Sequence, residues 1–330
     1  MSPRSEKKIK VAVIGTGSIG MRHLRILKSL QDVVPIAIPL RSERLVTLKE
    51  IGFKTARDLK EAADLGVTDL IVATDTARHV ADTLLGLEFK MNVMVEKPLS
   101  IDAPSCQVLL QAQEKSDKAV MIGCVMRFTE SLQAFQKKLL EIGAVYSVRI
   151  ECQSYLPDWR PQRDYRQSYS ARQNEGGVLR DLIHEIDYAG KIFGWPQNVQ
   201  GILRNRGRLG IESEEIAEIW WELDSGVSVS ICLDYLSRIP RRVMRAFGEK
   251  GVLEWDGLEN NVTLEIPEIK PQVEIFEKNR EDAFLSQAKA FLKFTEMDPP
   301  LLATLYDGFT AMKILDAVRL SSKWGKGVEV

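Results

Sequence analysis

Little in this chain suggests a covalent staple, a metal or a membrane. It has four cysteines and three histidines among 330 residues. Cys106, Cys124, Cys152 and Cys232 are scattered, with no CxxC pair and no zinc-like spacing, so reduced core thiols in a cytosolic protein are expected. The histidines form no cluster with cysteine or acidic residues, which argues against a metal site. No apolar run approaches the roughly 18 residues of a membrane helix, and Met1–Lys8 is polar with no apolar segment after it. A cytoplasmic location is the expectation. Charge of one sign is lacking too, with a formal net charge of -1. Nucleic-acid binding through phosphate contacts needs a clustered positive surface. The basic group Arg241, Arg242 and Arg245 has acidic neighbours and reads as solvated surface. Neither an internal repeat nor a low-complexity linker is evident.

What is present is alternation. Apolar runs at Lys10–Ile14, Ile36–Leu40, Leu70–Ala73, Val93–Glu96 and Val120–Gly123 predict strands. Helical patterns at Ser18–Leu30, Ser42–Ile51, Arg78–Phe89 and Ala103–Lys115 lie between them. Short continuous apolar strands separated by helices predict a doubly wound parallel sheet covered on both faces. After Gly123 the pattern changes. A helix over Ser131–Glu141 leads to alternating strands at Val145–Ser154, Val199–Arg204, Ile216–Asp224 and Val227–Tyr235, with turns expected at Asp224-Ser225-Gly226 and Glu249-Lys250-Gly251. The fold class is therefore α/β: a Rossmann domain over residues 1–124 and an α+β domain with a mostly antiparallel open sheet over 125–330. The last helix, about 304–322, is expected to pack back on the body.

Gly15-Thr16-Gly17-Ser18-Ile19-Gly20 matches GxGxxG between the first strand and the first helix. There the first glycine permits a tight turn and the second lets backbone approach a pyrophosphate. The third allows close helix–strand packing, and the helix N-terminus favours the anion. About 20 residues on, NAD-selective sites place an acid for the adenosine ribose. Here Arg41, Ser42 and Arg44 follow the second strand. A guanidinium and a hydroxyl suit a 2′-phosphate, which favours NADP(H) with NAD(H) as the other option; Arg41 and Arg44 can equally be read as solvated loop residues.

With Glu96-Lys97-Pro98 after the fifth strand and Gly176-Gly177…Asp181…His184 further on, the chain resembles the Gfo/Idh/MocA family nearly end to end. The stretches Asp69–Thr76 with His79, and Val93–Pro98, resemble that family's fourth and fifth strand region, and Arg127 an arginine at its domain junction. The resemblance implies an NAD(P)-dependent oxidoreductase acting on a hydroxyl or keto carbon of a sugar. It implies cofactor contacts from the glycine turn, Thr74, His79, Glu96, Lys97 and Arg127, and no metal. Some relatives are cofactor-sensing regulators and some are glycosidases with an internal redox cycle, so those readings stay open.

The chemistry fits the residues. Lys97 sits at the carboxyl end of a parallel strand, where ligands of open α/β sheets bind. Pro98 biases it to an extended backbone, and the family places this ammonium near nicotinamide and substrate, where it would stabilise developing alkoxide character. Glu96 is a candidate to hold that ammonium. An imidazole titrates near neutrality in general, so His184 is the candidate proton acceptor. Asp181, three residues earlier, would share its helix face and either contact substrate or steady the imidazolium. His23 reads as a packing or surface residue.

Four departures from the family pattern stand out: a glycine pair after Glu175 in place of three glycines, the three-residue Asp181–His184 spacing, Asp75 for a common proline, and no acid after the second strand. Upstream, Tyr155-Leu156-Pro157-Asp158-Trp159-Arg160-Pro161 with Tyr165, Arg166 and Tyr169 mixes aromatic and basic groups. Trp159, Arg160 and Tyr165 suit a polar, anionic sugar; the plainer reading is a loop covering the sheet with Trp159 buried. This variant resembles members associated with nonulosonic sugar biosynthesis. The second domain's sheet has an outer face to cover, and family members form dimers or tetramers through it.

Overall fold

The computed structural model describes residues 8–292 and 301–330. The chain forms two compact units: residues 1–125 with 280–309, and 126–279 with 310–330.

In the first unit β1 (Ile9–Ile14), α1 (Ser18–Ser29), β2 (Val33–Ile38), α2 (Arg44–Glu50), β3 (Lys54–Thr55), α3 (Leu59–Asp64), β4 (Asp69–Val72), α4 (His79–Glu88), β5 (Asn92–Val95), α5 (Ala103–Glu114) and β6 (Val120–Ile122) alternate along the chain. The sheet order runs β6-β5-β4-β1-β2-β3, all parallel. It reverses between β1 and β4, and that reversal creates a crevice at the strand carboxyl ends. Val11, Ala12, Val13, Leu70, Ile71 and Val72 are fully buried, which is why these strands are apolar throughout rather than alternating.

Three expectations need correction here. The second strand is Val33–Ile38, not Ile36–Leu40, because Pro35 sits inside it and Leu40 is exposed beyond its end. The short β3 and α3 carry too weak a periodicity to be read from sequence. Residues 280–309 belong with the first unit rather than with everything after 124. Helix Arg280–Leu292 packs on α1, and strand Ala303–Thr304 extends the sheet antiparallel to β6.

The second unit holds α6 (Glu130–Lys138), β7 (Val145–Gln153), α7 (Val178–Asp181), α8 (His184–Phe193), β8 (Asn198–Arg204), β9 (Ile216–Glu222), β10 (Ser228–Asp234), β11 (Arg241–Gly248), β12 (Val252–Asp256), β13 (Asn261–Glu265) and β14 (Gln272–Ile275). Its nine-stranded sheet runs β14-β13-β12-β11-β7-β10-β9-β8 and ends on strand Val328–Glu329. Among the described residues of this sheet, only β7 and β10 pair in parallel. Alternation is clear: Ala217, Ile219 and Trp221 are buried while Glu218, Trp220 and Glu222 are exposed. The β9–β10 turn falls on the expected residues, with Gly226 at φ +82°. The final helix, Leu305–Trp324, meets β8 through Val318, Ser321 and Ser322, the two serine hydroxyls accepting from the Gly201 and Leu203 N–H groups. Gly201 permits that approach, since a Cβ there would lie 2.7 Å from Val318.

The Arg241–Arg245 cluster also needs correction. Strand alternation puts Arg241 and Arg245 on the exposed face, paired with Glu151 and Glu254, but turns Arg242 inward onto fully buried Glu185 at 2.9 Å. Cys106, Cys124 and Cys152 are buried, and burial pushes the Cys152 thiol up to about 12. Among the described residues no helix is long and apolar enough to cross a membrane.

Candidate active site

The first unit supplies a phosphate-sized turn. Gly15 has φ +87°, and a Cβ there would lie 2.4 Å from the Ala73 carbonyl oxygen. A Cβ on Gly20 would meet the Gly15 carbonyl at 1.8 Å, so α1 can rest this close to β1 only with glycine. Gly17 is different: nothing lies within 4 Å of the position a Cβ would take. Two glycines serve packing and one keeps backbone open, as a pyrophosphate cradle requires. Thr16 is buried, and Ser18 opens α1 with Ile19 behind it. Beyond β2 the residues are Pro39, Leu40, Arg41 and Ser42. Arg41, Ser42 and Arg44 are exposed, with no carboxylate at the strand tip.

The next two strand ends are tied together. Thr74 donates its hydroxyl to Asp82 at 2.9 Å, and Arg78 also pairs with Asp82. His79 opens α4, buried, with Nδ1 2.8 Å from the Pro98 carbonyl oxygen and Nε2 3.1 Å from that of Thr74. Burial draws its imidazole below the usual histidine value despite those carbonyls and nearby Glu96 and Asp82. Glu96 does not rest alone beside Lys97: its Oε1 is 2.7 Å from Nε2 of His23, and its Oε2 accepts from the Lys97 backbone N–H at 3.3 Å. His23, expected to be packing or surface, is fully buried, edge-on to Phe284. The Lys97–Pro98 peptide is cis.

In the second unit the glycine pair makes room for buried oxygens. A Cβ on Gly176 would sit 2.2 Å from the Tyr169 carbonyl, and one on Gly177 (φ +96°) 2.1 Å from the Glu214 carboxylate. Glu214 in turn accepts from the Leu179 N–H at the start of α7. Burial raises the Glu214 carboxyl above the usual glutamate value.

Asp181 and His184 do not share one helix, contrary to expectation. Asp181 ends α7, the chain turns through Leu182 and Ile183, and His184 opens α8. Asp181 instead accepts from the Tyr235 hydroxyl at 2.6 Å. Its carboxylate, with burial, also pushes the Tyr169 phenol well above the ordinary tyrosine value. Trp159 meets Tyr235 edge-on at 5.4 Å and remains 38% exposed, so it is not simply buried. Arg160 is exposed, while the Tyr165 hydroxyl is committed to the Leu209 carbonyl.

The helix that starts at His184 is anchored by ions. Arg127 forms a buried two-point pair with Asp187, at 2.9 and 2.6 Å, and Arg242 meets Glu185. The Arg127 guanidinium is thus engaged inside its own unit. Sequence reasoning missed Tyr235, Glu185, Asp187 and Arg242, whose partners lie far away along the chain. It also missed the Glu96 contact of His23. Histidine in the turn after GxGxxG was the available signal for that one. Among the described residues no group of three His, Cys, Asp or Glu is disposed to hold a metal.

Comparison with known proteins agrees with this architecture. Residues 9–124 match the model described as "Oxidoreductase family, NAD-binding Rossmann fold", and 137–330 match "Oxidoreductase family, C-terminal alpha/beta domain". A myo-inositol 2-dehydrogenase of Thermotoga maritima is 25% identical, with 98% of each chain covered. A 2,7-anhydro-N-acetylneuraminate hydratase of Mediterraneibacter gnavus is 22% identical over 84% of this chain and 75% of the relative. A solved oxidoreductase from Agrobacterium radiobacter, in complex with NAD+, L-tartaric acid and magnesium, shares the fold with a TM-score of 0.85, at 17% identity and 98% coverage of both chains. The chain belongs to the Gfo/Idh/MocA family of oxidoreductases, with an NAD-binding Rossmann domain and a C-terminal α/β domain.

Proposed function

We propose that this protein interconverts a hydroxyl and a keto group on a sugar or sugar acid. The observation that carries the reading is the glycine turn, open at Gly17 alone, in a unit that also presents Glu96-Lys97-Pro98 at a strand's carboxyl end. Gly15–Gly20 would hold the pyrophosphate of a nicotinamide dinucleotide, with Thr74, His79 and the Glu96–Lys97 segment toward its nicotinamide end. That cofactor supplies the hydride acceptor or donor. Lys97 stabilises negative charge on the reacting oxygen, and His184 accepts the hydroxyl proton in oxidation and returns it in reduction. Asp181, fixed by Tyr235, serves substrate binding rather than orienting the imidazole.

NADP(H) is the proposed preference, since Arg41 and Ser42 stand where a ribose-binding acid would otherwise repel a 2′-phosphate. Trp159, Arg160 and Tyr165 belong to the proposed substrate side, with Trp159 offering a ring face and Arg160 a charge for an acidic sugar. The relative that acts on an anhydro-neuraminate and the neighbour that binds tartaric acid support that class. A cytoplasmic homodimer or homotetramer built on the second unit's sheet completes the proposal.

The test is a binding titration of NADP(H) against NAD(H), then a screen of polyols, amino sugars and uronic acids by nicotinamide absorbance. Lys97→Ala and His184→Ala should abolish turnover while cofactor still binds. Near-wild-type rates for both would overturn the mechanism. Substrate conversion with no net nicotinamide change would identify an internal redox cycle instead.

A further inference from the structure

The chain has three histidines. Two of them, both buried, close on the same tripeptide from different helices. From α1, His23 sets Nε2 2.7 Å from Glu96 Oε1, and Glu96 Oε2 accepts the Lys97 N–H. From α4, His79 sets Nδ1 2.8 Å from the Pro98 carbonyl oxygen and Nε2 3.1 Å from the Thr74 carbonyl oxygen. The residues on either side of Lys97 are therefore both tied down by imidazoles. The packing behind the clamp is close. His23 is fully buried against Phe284, and Phe284 is covered by Arg22, itself paired with Glu281. The Glu96 carboxylate lies 3.1–3.2 Å from where a Gly123 Cβ would be, so only glycine at the end of β6 lets it reach His23 without displacement.

We infer that His23 and His79 are positioning residues that clamp the Glu96-Lys97-Pro98 segment and thereby aim the Lys97 side chain. This deepens the proposed function, since it rests on Lys97 as the working ammonium. A lysine on a mobile strand end has no fixed Cα–Cβ direction. Locking the backbone before and after it fixes that direction ahead of binding, which is what preorganisation of a reacting group requires. Two histidines suit the task because a neutral imidazole presents one N–H donor to an acceptor on a flat, packable ring. His79 can donate to the nearer carbonyl, Pro98, while buried and uncharged.

The experiment uses the full chain. Hydrogen exchange of the peptide spanning 95–101 is compared in wild type, His23→Leu, His79→Leu, His23→Gln and His79→Gln, with NADPH affinity read by fluorescence. Turnover is read on the substrate found in the screen. The leucine variants should raise exchange in that peptide roughly tenfold while β1 and β4 keep their protection. They should lower kcat by roughly tenfold to a hundredfold with KM little changed. Glutamine retains an N–H donor and should recover most of both. Should a leucine variant fail to fold, the matching glutamine and asparagine variants, one reaching the partner and one falling short, carry the same comparison. Unchanged local exchange and kcat in the leucine variants, or equal losses with leucine and glutamine, overturn the clamp. The two ideas separate cleanly: an active Lys97→Ala sinks the hydride-transfer mechanism, whereas an inactive Lys97→Ala beside unaffected histidine variants sinks the clamp alone.

Discussion

The two units hold their candidate residues by opposite means. In the first, backbone does the work: glycines let chain approach chain, carbonyls receive imidazole nitrogens, and the parallel sheet brings every relevant loop to one edge. In the second, side chains do it: Asp181 is fixed by Tyr235, and the helix begun by His184 is held by two arginine–carboxylate pairs in its interior. A backbone-made site can be written in a short motif. One made of side chains needs partners that the chain delivers from 54 or 60 residues away. The difference predicts contrasting responses to substitution.

The largest effect is expected at the ion pair. Arg127→Met would strand Asp187, whose side chain is 3% exposed, and should cost about 3–5 kcal/mol in urea unfolding. Arg127→Met with Asp187→Leu should recover most of that loss; no recovery would show that the pair is not what anchors α8. Next comes a contrast within the glycine turn. Gly20→Ala forces a Cβ into the Gly15 carbonyl and should destabilise the first unit by about 1–3 kcal/mol. Gly17→Ala meets open space, so it should leave the melting temperature unchanged and weaken dinucleotide binding. Equal melting losses at both positions would erase the distinction drawn here.

A change of similar size is expected for Tyr235→Phe. It removes the hydroxyl that donates to Asp181 and should cost about 1–3 kcal/mol, with substrate KM raised more than kcat is lowered. The smallest effect concerns pH. His79 is buried with its folded value lowered from 6.5, so its contribution to stability is complete above about 6.5. It fades as the pH falls from there through the folded value, because the unfolded chain takes up the proton more readily. The carboxylates of Glu96 and Asp82 oppose that shift. A stability–pH curve for His79→Gln should be flatter on its acid side than that of wild type; identical curves would remove the contribution.

Legibility followed the range of the interactions. GxGxxG, the apolar strands β1 and β4 to β6, and Glu96-Lys97-Pro98 are local patterns whose meaning survives in isolation. The turn between β11 and β12 was expected at Glu249-Lys250-Gly251, but strands β11 to β14 were not bounded because their alternation is diluted by charges such as Arg241, Arg245 and Glu254 on the solvent face. Arg242 was misread for the same reason, since its neighbours are exposed and only the pleat turns it inward. Spacing alone put Asp181 and His184 on one helix, but the chain breaks at Leu182 and sends the carboxylate to Tyr235.

What the sequence determined by itself is the α/β class, the order of the first five long strands, the turn that suits a dinucleotide and the lysine beside it. Each rests on periodicity or on backbone freedom, which are properties of a few consecutive residues. What only the tertiary structure decided is which polar groups meet. His23 finds Glu96 and Arg127 finds Asp187 because burying a charged or polar group without a partner is costly and the fold brings these acceptors to them.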